Sequence, residues 1–252
     1  MKVNVLGKAE FLGLAEDGPR LLALINEPQA FVIQGFYPHE EIFALRSRCF
    51  DRNRDSEPAF HPLIEGCPDF HRLHDNYPNA YVKSKMHSFQ HHGWKEENGA
   101  LFHYFREIFA LKNRLVGLPA ETYVNAHPSE GCVARVSLHN YPRGGGYMAE
   151  HIDPLGVHAR IQTIVQASEY GHDFDSGGLF ARADPGAEKI YFDPISNPGD
   201  LLVLSPGIPH GVDPIDPEVE YDWRVNRGRW MVVPVFLNPD YPQFDNKSQT
   251  LS

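Results

Sequence analysis

Between residues 132 and 236 the chain breaks into short strand-like runs, at 132–139, 147–153, 160–167, 177–182, 188–193, 200–205 and 229–236. Turn clusters such as Pro142-Arg-Gly-Gly-Gly146 and Asn197-Pro-Gly-Asp200 separate them. Many short strands with Gly/Pro punctuation point to a barrel or a double-sheet jelly roll. The 21 glycines and 21 prolines are spread through the whole sequence, as in a loop-rich β protein rather than a helical bundle.

The preceding segment reads as mixed. Phe31–Gln34 is a short strand candidate, and a helix opens at Tyr37-Pro38 with acids following the proline. A second helix starts near Asn98 and runs through Arg114, with Leu101, Phe102, Phe105, Ile108, Phe109 and Leu111 at helical spacing. Residues 51–95, rich in Pro, His, Asp and Asn, form a long irregular excursion that is either a lid or the cover for short elements. Residues 1–120 show no convincing core of their own. The expected organisation is therefore one domain over 1–252: a helical support with a lid candidate at 1–120, a jelly-roll core at 121–240 and a tail at 241–252.

Alternation along the first run assigns its two faces. Cys132, Ala134, Val136 and Leu138 form an apolar set; Arg135, Ser137, His139 and Tyr141 form a polar one. If the N-terminal helices cover the apolar face, the polar face lines a wet barrel interior. The alternative is an edge strand whose polar face meets solvent.

Composition narrows the partners. A formal net charge of −10 argues against a broad electrostatic footprint on nucleic acid or anionic lipid, and no basic groove with interleaved aromatics is visible. No run approaches the roughly 18 apolar residues of a membrane span, and the first twenty residues lack a signal peptide's apolar core. A cytoplasmic location is the default expectation. Cys49, Cys67 and Cys132 have no CxxC spacing and are odd in number, which favours reduced core thiols over disulfides or a zinc site.

Most informative chemically is His151-Ile-Asp153, followed 57 positions after Asp153 by His210. Side chains two apart on a strand share a face, so His151 and Asp153 can reach one ion, and His210 must come from a strand that folds back beside them. Two imidazoles and one carboxylate form the facial ligand set of non-haem iron(II) sites, with three positions left open. Gly144-Gly-Gly146 lacks the Gly-Lys-Ser/Thr ending of a phosphate loop and reads as a turn. His87, His91 and His92 near Trp94 lie in a charged stretch and read as exposed histidines rather than a second metal site.

Five pieces in order resemble the iron(II)/2-oxoglutarate-dependent oxygenases, of the prolyl-hydroxylase-like kind. Leu138-His-Asn-Tyr-Pro-Arg-Gly-Gly-Gly-Tyr-Met-Ala-Glu-His-Ile-Asp153 is similar to the family's Tyr-x-x-Gly…His-x-Asp stretch, and Ser176-Gly-Gly-Leu-Phe180 to its Gly-Gly-x-Leu strand. Pro198–Pro206 resembles the strand before the distal histidine, His210-Gly-Val212 the distal ligand itself, and Gly228-Arg-Trp-Met-Val-Val233 the closing strand. The resemblance covers roughly residues 130–237. It implies a double-stranded β-helix core of mainly β class with α elements. It also implies Fe(II) at His151, Asp153 and His210, with 2-oxoglutarate and O2 as cosubstrates. Arg229 is implied as the partner of the 2-oxoglutarate distal carboxylate, a role suited to a bidentate guanidinium. Arg224 and Arg227 compete for it; Arg229 is preferred because it follows Gly228 and opens the apolar run. His139 and Tyr141 are candidates to contact 2-oxoglutarate or substrate. Related halogenases lack the carboxylate, so Asp153 implies hydroxylation rather than halogenation.

The resulting expectation is a dioxygenase that hydroxylates an unactivated C–H of a small molecule, such as a free amino acid or a natural-product intermediate. Two other classes stay open: a cupin-like metal enzyme without 2-oxoglutarate, and a non-catalytic metal- or metabolite-binding barrel. For the substrate, Asp213, Asp216, Glu218, Glu220 and Asp222 suggest a receiver for a cationic group, while Arg72, Lys83 and Lys85 suggest one for a carboxylate. Oligomeric state is not legible.

Overall fold

The computed structural model describes residues 1–77 and 80–239; the tail expected at 241–252 lies outside the described residues. In chain order the elements are β1 (Lys2–Gly7), α1 (Lys8–Glu16), α2 (Gly18–Ile25), β2 (Gln29–Gln34), α3 (His39–Asn53), β3 (Phe70–Asp75), β4 (Ser84–His92), α4 (Gly99–Tyr104) and α5 (Arg106–Arg114). The second half carries β5 (Val133–Pro142), β6 (Gly146–His151), β7 (Gln162–Gln166), β8 (Gly178–Ala181), β9 (Ile190–Tyr191), β10 (Leu201–Leu204), β11 (His210–Ile215) and β12 (Gly228–Leu237). All strands join one curled sheet in the order β1-β2-β10-β7-β12-β5-β4-β6-β11-β8-β9, with β3 paired to the other side of β4. The four-strand set β10-β7-β12-β5 faces the set β6-β11-β8-β9, which is the double-stranded β-helix arrangement.

Two apolar clusters sit on opposite sides of the β10-β7-β12-β5 set. Outside, Ala134, Val136, Leu138, Trp230 and Val232 pack against Phe11, Leu21, Ile42, Phe50, Phe105, Ile108 and Phe109 of the helices. Inside, Ile164, Met231 and Val233 meet Leu179, Ala181, Val212 and Ile215 from the facing strands. The even-numbered residues of β5 thus lie under the helices, as the alternation predicts, and the polar odd-numbered set turns into the barrel. Burial of the helical apolar stripes against the sheet is the main force holding the N-terminal segment in place.

The structure departs from the sequence reading in several places. Residues 51–95 contain β3 and β4, which pair in register from Phe70↔Gln90 to Asp75↔Lys85. Their sequences, FHRLHD and SKMHSFQHH, are poor in β-branched residues, so propensity gave no sign; pairing to β5 recruits them. His87 and His92 are fully buried, and His91 and His92 both contact the Asp69 carboxylate, at 3.3 and 3.1 Å. The expectation of exposed histidines is therefore corrected: cross-strand pairing puts them inside the sheet. The expected single helix at 98–114 is two, broken at Phe105. All three cysteines are free and buried. Among the described residues no helix is long and apolar enough to cross a membrane.

Candidate metal centre

His151 ends β6, and its register partner across the ladder is His210, the first residue of β11. Asp153 lies just past the strand, where its backbone N–H donates to the Pro206 carbonyl at 2.9 Å. One antiparallel pair and one backbone tether therefore gather three ligands separated by up to 59 positions in sequence. Ligand atoms of the three residues all lie within 4.8 Å of one another. Asp153 reaches both imidazoles: Oδ1 is 3.6 Å from His151 Nε2 and Oδ2 is 3.5 Å from His210 Nε2.

Tautomers follow from the neighbours. His151 Nδ1 lies 2.9 Å from the Ala149 carbonyl and His210 Nδ1 lies 2.8 Å from the Ile208 carbonyl. A carbonyl can only accept, so each Nδ1 carries the proton and each Nε2 offers its lone pair to the shared point. Gln162 Nε2 donates to Asp153 Oδ2 at 3.1 Å and fixes the carboxylate. Burial first, and His210 second, hold the His151 imidazole below its usual range. For Asp153, burial opposes ionisation, but the hydrogen bond and charge of His210, then His151 and Lys112, keep it below the usual carboxylate range. Both groups are thus in their ligating states at neutral pH.

Lys112 of α5 is buried nearby, with Nζ donating to the Ile161 carbonyl at 3.1 Å. Burial pushes its ammonium down to about 7, against the pull of the Asp153 charge. The unfolded chain, with an ordinary lysine near 10.4, holds a proton that the folded chain has released between those values, so stability rises with pH across that window. In metal-free protein, raising pH from about 7 to about 9 stabilises the wild type by about 2 kcal/mol relative to Lys112→Met. Urea unfolding at the two pH values reads this difference directly.

The triad stands at the mouth of a cavity of about 310 Å³ enclosed by the two strand sets. Gln162, which holds Asp153, opens β7, and the β7–β12–β5 register puts that end of β7 toward Arg135, with Tyr141 at the opposite, deep end. Arg135, Ser137, His139 and Tyr141 all line this space, with Ile164, Leu179, Met231 and Val233 as its apolar walls.

Arg229 sits behind Tyr141, its guanidinium carbon 5.9 Å from that ring's centre, and is fully buried. Its Nε donates to Asp193 Oδ1 at 2.9 Å, and one terminal nitrogen donates to Gln166 Oε1 at 3.0 Å. Among the described residues the other terminal nitrogen has no partner, and the Tyr141 hydroxyl meets the Met148 thioether, at 3.8 Å. These are the unspent donors a ligand carboxylate would take up. Gly178 makes the Asp193 clamp feasible: its φ is +126°, and a Cβ there would lie 2.5 Å from Asp193 Oδ2.

Placement of the remaining residues is equally specific. Arg224 and Arg227 are on the surface loop before β12, where Arg227 donates to the His172 carbonyl. The acids offered as a cation receiver do not line the cavity. Asp213 pairs with Lys189 at 2.7 Å, and buried Asp216 takes Arg143 at 2.6 Å together with backbone N–H groups of Asp175 and Ser176. Sequence reasoning missed Gln162, Gln166, Asp193 and Lys112, which carry no motif signal. Only pairing across strands brings them to the site.

No family model and no curated protein sequence matches this chain. Solved structures do resemble it. A Pseudomonas putida prolyl-4-hydroxylase is 16% identical with a TM-score of 0.52, covering 88% of this chain and 97% of its own. A full-length Neurospora crassa protein in complex with alpha-KG and thymine is 13% identical with a TM-score of 0.54, covering 94% and 86%. A Trichoplax adhaerens prolyl hydroxylase bound to a hypoxia inducible factor peptide fragment is 12% identical with a TM-score of 0.51, covering 96% of each chain. Shared architecture at such low identity shows the fold: this chain folds like these solved structures, and in it His151, Asp153 and His210 bring their ligand atoms together.

Proposed function

We propose that this protein is an iron(II)- and 2-oxoglutarate-dependent dioxygenase that hydroxylates a C–H bond of a small molecule. The observation that carries the reading is the convergence of two Nε2 lone pairs and one carboxylate on a cavity that Tyr141 lines, with a nitrogen of Arg229 left without a partner among the described residues behind that ring. When bound, the iron and its cosubstrates supply the oxidation of 2-oxoglutarate to succinate and carbon dioxide, coupled to transfer of one oxygen atom into the substrate C–H.

The chain's own residues set the geometry. His151, Asp153 and His210 would hold the ion, as such a ligand set does elsewhere, beside the cavity. Arg229 and Tyr141 orient a distal carboxylate at the deep end, so that a chelating keto acid spans the barrel. Ile164, Leu179, Met231 and Val233 exclude water around that span. The substrate enters by the mouth, and the cavity volume suits a small molecule or one side chain.

Anaerobic titration of the iron(II)-loaded protein with 2-oxoglutarate tests the reading. A saturable visible charge-transfer band is expected from bidentate chelation. A bound iron that gives no band would instead favour the cupin-like class of metal enzyme.

A further inference from the structure

The inward face of the barrel continues past β5 onto β4 and β3, and this extension is polar rather than apolar. Register runs Arg72↔Ser88↔His139 across the three strands, with Phe70↔Gln90↔Ser137 beside it. Arg135 Nε donates to Ser137 Oγ at 3.1 Å, and Ser137 Oγ donates to Gln90 Oε1 at 2.7 Å, so a hydrogen-bonded strip leads from the mouth toward Ser88. Arg72 is half-buried under the Phe60 ring at 5.4 Å, and its Nε has no hydrogen-bond partner among the described residues. Neither ring nitrogen of buried His74 has one, nor does Nδ1 of His139. Buried polar nitrogens left idle in this number are costly unless a ligand meets them.

Apart from Asp153, the charged side chain that lines the cavity among the described residues is Arg135. Burial, then Arg135, Arg72, His74 and Arg229 in that order, drives the His139 imidazole down to about 3. Asp153 is the single carboxylate lining the cavity among the described residues, and it is a metal ligand. A protein of formal net charge −10 thus keeps a local positive field at its barrel mouth.

Resting on the oxygenase reading above, we propose that the substrate carries an oxyanion, a carboxylate or a phosphate, and that Arg72 and Arg135 receive it across the barrel from the metal. This need is separate from that of 2-oxoglutarate. Arg229 lies behind Tyr141, whereas Arg135 lies toward the end of β7 where Gln162 holds Asp153, and Arg72 enters from β3. Planar guanidinium groups suit either oxyanion, so the test carries both.

Calorimetric titrations of the metal- and 2-oxoglutarate-loaded, oxygen-free protein use phenylacetate, N-acetylglycinate and phenyl phosphate, with phenylacetamide and N-acetylglycinamide as neutral matches. Anions are expected to bind at least about tenfold more tightly than the matched amides. Arg72→Gln and Arg135→Gln are each expected to erase that preference, and Arg135→Lys to retain part of it. The charge-transfer band of bound 2-oxoglutarate should persist in all three variants. Equal binding of anions and amides overturns the proposal. So does loss of the 2-oxoglutarate band in the Arg72 and Arg135 variants, since the pair would then serve the cosubstrate. Should the wild type give no band, metal-loaded protein without 2-oxoglutarate is titrated instead. Arginine-dependent anion binding there would sink the oxygenase reading and leave the oxyanion subsite standing.

Discussion

Asp153→Ala abolishes iron(II) binding at working concentrations while leaving the fold intact. The carboxylate is the only anionic ligand, and it spans both imidazoles with its two oxygens. Removing an outer partner of a ligand typically weakens a metal by about 10- to 100-fold, and removal of the ligand itself exceeds that. The structural cost is small, because Asp153 is partly exposed and its tether to Pro206 runs through the backbone N–H, which alanine keeps. Anaerobic iron titration should therefore lose its saturable phase, with unchanged circular dichroism and no succinate release. Full retained turnover in this variant would remove the triad from the mechanism.

Arg229→Gln has a double effect, and the two parts separate experimentally. The guanidinium is fully buried against Asp193, so its removal strands a buried carboxylate, which costs about 3–5 kcal/mol of stability. Gln166 and the Leu179 N–H also converge on Asp193, and they soften but do not cancel that loss. The same substitution removes the unspent nitrogen behind Tyr141, so the 2-oxoglutarate charge-transfer band should vanish. Arg229→Met combined with Asp193→Leu tells the roles apart. Replacing both members of a buried pair by apolar residues restores most of the stability, yet the band should stay absent. A double variant that refolds fully and binds 2-oxoglutarate as well as the wild type would leave Arg229 with a structural role only.

The acidic loop shows how a sequence-level guess about substrate charge fails. Five carboxylates between His210 and Arg229 look like a receiver for a cation when read along the chain. In the fold, Asp213 is taken by Lys189 and Tyr191, and Asp216 caps the turn around Ser176 while holding Arg143. Local composition could not reveal this, because each partner is distant in sequence. Arg72, offered by the sequence as a carboxylate receiver, and Arg135, turned inward by the alternation, fare better, since strand parity puts both on one face of the sheet.

Sequence alone determined what short-range rules govern. Period-two alternation in 132–141 correctly separated the helix-covered face from the cavity face, and HxD spacing put two ligands on one side. Turn clusters marked most strands of the barrel. Those features survive translation into structure because strand parity and turn chemistry are local. Tertiary structure alone decided that SKMHSFQHH becomes a strand, that Asp193 and Gln166 clamp Arg229, and that a polar rank runs from β5 to β3. Each of these depends on pairing between segments many residues apart, where weak intrinsic propensity yields to the ladder and to burial.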